Sequence, residues 1–266
     1  MELDLRETTS AVCAIARQAG RYIEGERRRF DAACVERKHE HDYVSYVDRE
    51  SERLVVAALR ALLPEAGFVA EEGSARRGSE RYCWVVDPLD GTTNFIHGYA
   101  PFCVSIALCR GEQILVGVVY EVTRGQCFYA WRGGGAWQDG RRLHVGRNRM
   151  EDALLCIQLP YDSEAYRRVV TRLIGSLYGR VGSIRMEGSA AMALCHVAQG
   201  CLDGYAERYI GPWDYMAGAL LVMEAGGTVT DYEGRAGFVG GNHVVAASPA
   251  VHGPLLEAVR QASAKP

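Results

Sequence analysis

The sequence predicts a mixed α/β (α+β) protein, a large antiparallel sheet followed by a smaller α/β unit. Two observations carry this. Three apolar runs of strand length, Phe102 to Leu108, Gln113 to Tyr120 and Gln126 to Trp131, are separated by Arg110-Gly111-Glu112 and Thr123-Arg124-Gly125, which are hairpin signals. Around Pro160 to Ser163 the pattern changes to helices alternating with short strands.

Taken in order, Leu5 to about Phe30 is a helix, with Val12, Ile15, Ala16 and Ala19 on one stripe and a charged, solvated end that includes Arg27-Arg28-Arg29. Tyr43 to Val47 is a short strand. Asp48 stands as N-cap of a helix through Leu63 that Pro64 ends. Gly67 to Ala70 is a second strand and runs into Glu71-Glu72; Tyr82 to Val86 is a third. The meander follows, with a turn at Asp139-Gly140, and Leu154 to Leu159 is a further strand.

Beyond the change of pattern come a helix from Ser163 to Tyr178, a strand near Val181 to Ile184 and a helix from Ser189 to Gln199. Leu202 to Ala206 is a strand edge leading to Glu207. Pro212 suits the first turn of a helix that Gly226-Gly227 stops. Strands at Thr228 to Asp231 and Val244 to Ala247 and a helix from Val251 to Ala262 complete the chain. With no flexible linker between them, residues 1–160 and 161–266 are expected to be two subdomains of one structural unit.

Composition narrows the function. Of 266 residues, 48% are hydrophobic, enough for a buried core, and a formal net charge of -3 argues against a general polyanion binder. Nine cysteines lack any C-x-x-C pair and most sit in apolar runs, as expected of reduced thiols in a cytoplasmic protein rather than a disulfide framework or zinc site. The N-terminal stretch has no leader pattern, and no apolar run is of membrane length. His39 and His41 lack a third ligand partner and are expected on the surface, while His97 lies near the site described next.

That site is the stretch Trp84 to Gly98. Asp87-Pro88-Leu89-Asp90 has the residues a type I turn favours, and such a turn would end the strand at Asp87 and bring Asp87 and Asp90 to a common point. Two carboxylates so close repel unless a cation joins them. Their oxygens, with the Leu89 carbonyl, suit a hard cation such as Mg2+ or, alternatively, Mn2+. Gly91-Thr92-Thr93-Asn94 then starts a helix whose free N–H groups make an anion site beside the metal.

The string DPLDGTTNF closely resembles the signature of the inositol monophosphatase family, the magnesium-dependent, lithium-sensitive sugar phosphatases. Asp42 to Asp48, Glu71-Glu72, Gly188-Ser189-Ala190 and the run from Trp213 to Gly227 match the family's other motifs in order. The resemblance covers nearly the whole chain. It implies a layered α-β-α-β-α fold, a homodimer, and hydrolysis of a small phosphomonoester, foremost inositol 1-phosphate. It further implies that Glu71, Asp87 and the Leu89 carbonyl hold one Mg2+, that Asp87, Asp90 and Asp214 hold a second, and that Asp48 supports a weaker third through water. Glu71 and Thr92 would orient the attacking water, the Gly91 and Thr92 amides would hold phosphate, and Gly188, Ser189, Ala190 and Glu207 would face the alcohol.

Three departures leave the alcohol open: the spacing of Lys38 to Asp42, Glu187 where a small or apolar residue is usual, and Arg208-Tyr209 after the substrate glutamate. Fructose 1,6-bisphosphate, 3'-phosphoadenosine 5'-phosphate and histidinol phosphate are the alternative substrates. A reading from another class is a non-catalytic partner of RNA or of transcription on this scaffold; Arg27-Arg28-Arg29 and Arg76-Arg77 leave room for it, and the intact acidic set argues against it.

Overall fold

The computed structural model describes residues 3–31, 35–39, 42–73, 80–158, 164–236 and 241–264. Arg76-Arg77, His41 and the Pro160 to Ser163 boundary lie outside them. The first helix, α1 (Leu5–Arg27), starts at Asp4, whose carboxylate accepts from the Glu7 amide at 3.0 Å, and buries Val12, Ala16, Ala19 and Ile23 on one stripe. A short hairpin, β1 (Glu36–His39) and β2 (Asp42–Val44), leads to α2 (Tyr46–Leu62). The N-cap of α2 is Ser45, not Asp48. Asp48 occupies the third helical position and closes a capping box, with its Oδ2 accepting from the Ser45 amide at 2.8 Å and hydroxyl at 2.7 Å.

Seven strands form the first sheet in the order β3-β4-β5-β6-β7-β8-β9: β3 (Gly67–Ala70), β4 (Cys83–Asp90), β5 (Cys103–Arg110), β6 (Gln113–Glu121), β7 (Gln126–Trp131), β8 (Gly135–Gln138) and β9 (Arg141–Arg142). Only β3 and β4 run parallel; the rest is the expected meander. A six-residue helix, α3 (Thr92–His97), joins β4 to β5.

The second sheet has the order β11-β10-β12-β14-β13, from β10 (Leu154–Ile157), β11 (Ser183–Arg185), β12 (Gly204–Arg208), β13 (Thr228–Thr230) and β14 (His243–Ala247). Its helices are α4 (Glu164–Leu177), α5 (Ala190–Gln199), α6 (Pro212–Glu224) and α7 (Pro249–Ser263). Strand β10 pairs into this sheet although it precedes the change of sequence pattern.

Strand alternation sorts the core into three parts and so stacks the layers α-β-α-β-α. On β4, Trp84 and Val86 face α1 and α2, while Val85 faces α5 and α6 in the middle layer. On the second sheet, Cys156 and Tyr205 join that middle core, while Leu155, Ile157 and Ala206 pack toward α4 and α7. The middle helices are apolar on nearly all sides because both faces are covered by sheet; α6 has the least amphipathic sequence and buries eight residues from Tyr215 to Val222. Its approach to β6 depends on Gly117, where a Cβ would stand 2.6 Å from the Ala217 carbonyl oxygen. Of the eight cysteines among the described residues, six are buried and none is in a disulfide. Two of the three clustered arginines are paired, Arg28 with Glu24 and Arg29 with Glu26, and Arg27 lies over the Phe95 ring.

Candidate active site

Strand β4 does not end at Asp87. It runs on to Asp90, with Asp87 opposite Ser105 and Asp90 opposite Cys103 on β5, so three steps along one strand face two along the other. This is a β-bulge. In a regular strand Asp87 and Asp90 would point to opposite faces; the extra residue restores the parity and puts both carboxylates on one side. The expected turn is replaced by this bulge, within which the Leu89 amide donates to Asp87 Oδ1 at 2.9 Å. Helix α2 braces it, since Ser51 Oγ donates to the Pro88 carbonyl at 3.0 Å.

Asp214 arrives from the start of α6, where Pro212 opens the helix and Asp214 Oδ2 accepts from the Gly211 amide at 2.7 Å. Carboxylate oxygens of Asp87, Asp90 and Asp214 lie within 4.8 Å of one another. Burial pushes the Asp87 carboxyl well above the carboxylate range, and the Glu71, Asp90 and Asp214 charges push it further. Asp214 is raised in the same direction by burial first and then by Glu71. Asp90 is raised by burial and partly relieved by donors from Ser189 and the Ala191 amide. Glu71 follows β3 and hydrogen-bonds with Asp87, and its amide donates to the Val86 carbonyl at 3.2 Å.

The second acidic group among the described residues, Asp231, Glu233 and His243, behaves differently. Arg235 pairs with both acids there, so its charge is already compensated. No ion pair among the described residues reaches Asp87, Asp90 or Asp214. Buried or half-buried, mutually repelling oxygen donors with no countercharge among the described residues fit a hard divalent cation.

Thr92 is the first residue of α3, whose N-cap Gly91 has φ of 87°, in the left-handed region. Thr92 Oγ1 stands 3.0 Å from both Asp48 Oδ1 and the Leu89 carbonyl. One hydroxyl has one proton, so the two acceptors share it unless Asp48, raised by burial, carries a proton of its own. The Leu89 carbonyl keeps a second lone pair.

A cleft of about 320 Å3 opens at Asp90 and Asp214, with Gly188, Ala190 and Glu207 also in its wall. Burial pushes Glu207 up to about 8, against the hydroxyl of Tyr205, which donates to its Oε2. Ser189 does not line the cleft. It is buried, donates to Asp90 Oδ2 at 2.5 Å and caps α5. A larger cavity, about 580 Å3 between α1 and strands β7 and β8, is lined by residues such as Arg6, Arg17 and Trp131 but by no carboxylate. Chemistry, not size, marks the site.

Two residues whose side chains have no role in the sequence pattern hold the cleft together. Asn94 Nδ2 donates to the Pro101 and Glu187 carbonyls, both at 2.8 Å, and Gln158 Oε1 accepts from the Glu187 and Gly188 amides at 3.0 and 3.2 Å. Gly188 is required by this closeness: its φ is 72° and a Cβ would meet Asn94 Oδ1 at 2.8 Å. Asn94 lies inside the matched motif, which is the signal that could have found it; Gln158 has none. His97 is exposed and lies outside the cleft wall.

Comparison with known proteins agrees with the geometry. Residues 4–264 match the model of the inositol monophosphatase family. The chain is 41% identical to the Nus factor SuhB of Pseudomonas aeruginosa, over 92% of this chain and 93% of that protein. It is 38% identical to the inositol-1-monophosphatase of Mesorhizobium japonicum, again over 92% and 93%. In three dimensions it is similar to the extragenic suppressor protein suhB of Bartonella henselae, with a TM-score of 0.90, 34% identity, and 96% and 99% of the two chains covered.

Proposed function

From the premise that the chain belongs to the inositol monophosphatase family, we propose that it is a Mg2+-dependent phosphomonoesterase acting on a small polyol phosphate, foremost inositol 1-phosphate. The observation that carries this reading is the cluster of Asp87, Asp90 and Asp214, which has no countercharge among the described residues and two of whose members, Asp90 and Asp214, stand in the wall of a cleft that also holds Glu207.

Glu71, Asp87 and the Leu89 carbonyl would hold one Mg2+, and Asp87, Asp90 and Asp214 a second. When bound, the ions lower the pKa of a water and neutralise charge that develops on the leaving oxygen. The remaining work belongs to side chains. Asp48 holds the Thr92 hydroxyl, and Thr92 and Glu71 orient the water. The Gly91 and Thr92 amides face the phosphate oxygens. Glu207 accepts hydroxyl donors of the alcohol, which Gly188 and Ala190 flank. Ser189 acts through Asp90, as a positioning residue.

We take the two subdomains to act as one unit, as a homodimer. Described cysteines that are held in no disulfide support a reducing compartment, the cytoplasm. No helix among the described residues is long and apolar enough to cross a membrane.

The test is phosphate release from a panel of small phosphomonoesters with and without Mg2+. Release from inositol 1-phosphate that stops in excess EDTA is expected; turnover that persists in EDTA, or none on any ester, would overturn the reading. The name of the P. aeruginosa relative, a Nus factor, supports a second reading, a binding role that does not need turnover. Such a role would survive Asp87→Asn.

A further inference from the structure

Of the six exposed large hydrophobic side chains among the described residues, three line the cleft that holds Asp90, Glu207 and Asp214: Tyr99, Met186 and Tyr209. They come from three separate loops, after α3, after β11 and after β12. Apolar surface gathered from three loops around one polar cleft marks a contact with a ligand rather than scattered surface.

Tyr209 stands out. Its φ is 61°, in the left-handed region that disfavours any residue with a Cβ. Among the described residues only Asp139 shares this among non-glycines, and Asp139 sits in the β8–β9 turn, where aspartate is at home. The Tyr209 ring is fixed in place. It packs edge-on against Tyr166 at 5.8 Å and 86°, and the Arg208 guanidinium lies 5.3 Å from its centre. Tyr166 is itself buried and bonded to the Tyr232 hydroxyl at 2.9 Å. Glu207 and Tyr209, two residues apart, both face the cleft, while Arg208 between them lines a different cavity. One short segment thus offers an acceptor for hydroxyls and, beside it, an aromatic face.

We propose that Tyr209 is the specificity-determining residue of this site, with Tyr99 and Met186 completing an apolar lip. Beyond the ring polyol of the phosphatase reading, it favours an alcohol that lays a flat aromatic face on the Tyr209 ring, beside the hydroxyl-accepting Glu207. This rests on the phosphatase reading above. Stacking on a fixed ring favours such an alcohol over a plain acyclic polyol, because aromatic pairs gain geometry-dependent attraction beyond simple burial.

The test compares 2-phenylethyl phosphate with glycerol 2-phosphate in Mg2+, using wild type, Tyr209→Gly and Tyr209→Phe. Glycine is at ease at this φ, so Tyr209→Gly is expected to fold. Wild type should show a KM for the phenylethyl ester about tenfold below that for glycerol 2-phosphate. Tyr209→Gly should raise the first about tenfold and the second less than about twofold, with kcat of both preserved, and Tyr209→Phe should keep the preference. Equilibrium binding of the same esters with Ca2+ in place of Mg2+ should show the same order. Hydrolysis of both esters without a preference, or an equal change on both in Tyr209→Gly, overturns the inference and leaves the phosphatase reading standing. A preference in binding without any hydrolysis does the reverse.

Discussion

Asp90 and Ser189 are separated by 99 residues of chain, yet the Ser189 hydroxyl donates to Asp90 Oδ2 at 2.5 Å. The bond ties the bulge of the first sheet to the first turn of a helix in the middle layer. The same hydroxyl accepts from the Met192 amide at 3.3 Å, so one side chain both caps α5 and holds a carboxylate of the acidic cluster.

Ser189→Ala should therefore destabilise the protein by about 2 kcal/mol, from a lost bond to a buried carboxyl together with a lost cap. Urea denaturation measures this, and Mg2+ affinity should fall in the same variant. A change confined to stability would show that Asp90 is held well enough by the Ala191 amide alone.

Asp87→Asn and Asp214→Asn should each reduce Mg2+-dependent phosphate release at least about hundredfold while the fold survives. In EDTA the sign for stability reverses. Burial first, and then Glu71, raise both carboxyls. A raised acid contributes stability below its unfolded pKa that is lost as pH rises through the folded value. Replacing Asp214 by Asn removes that loss, and asparagine can still accept from the Gly211 amide. The variant should thus gain Tm over wild type in EDTA, more at pH 8 than at pH 5, and lose that advantage in Mg2+. A variant less stable than wild type at pH 8 in EDTA would contradict this assignment of the charges.

Glu207→Ala should raise KM for inositol 1-phosphate by about tenfold, and that for an ester without hydroxyls far less. Burial moves Glu207 from 4.5 up to about 8. The free protein therefore holds it largely protonated at neutral pH, and its capacity to accept hydroxyl donors grows as pH rises toward 8. KM for the polyol should fall over that interval in wild type and stay level in Glu207→Gln. Equal losses on both esters would make Glu207 structural.

Lithium should inhibit in the millimolar range in an uncompetitive or mixed pattern, strengthening as substrate rises. Three carboxylates at Asp87, Asp90 and Asp214 leave excess negative charge around one divalent ion. A small monovalent cation can enter once phosphate is in place. Phosphate release measured against lithium at several substrate concentrations decides it; full relief by substrate would place the blame first on Asp214.

Sequence reading reached most of this fold because its elements are written in local pattern: β3 and β7 lie where the apolar runs put them, and α1 follows its stripe. The family motifs likewise named Asp87, Asp90 and Asp214. What they could not give is geometry that belongs to a partner strand or a distant loop. A bulge is defined by the residues opposite it, Ser105 and Cys103, so Asp-Pro-Leu-Asp alone reads equally well as a turn. Ser45 and Asp48 form a reciprocal pair and either residue type can open a helix, so local pattern does not say which of the two is the N-cap. The family resemblance turns Ser189 toward the alcohol, whereas its side chain donates to Asp90, to which the packing of two layers brings it. Gln158 carries no local signal, since its role is to receive two amides from a segment about thirty residues later in the chain.

Gly117 lies on β6 and touches none of the acids, yet the missing methyl group there sets how low α6 rides on the sheet. Asp214 is fixed to the first turn of that same helix. A methyl at position 117 would act as a shim beneath the helix and tilt or lift its leading end. Such a variant would present as a defect in ion binding although its side chain belongs to the floor of the middle layer. In a mutational scan read out by Mg2+ dependence, hits should accordingly run along the line from Gly117 through Ala217 to Asp214, and would trace the support of the site rather than its surface.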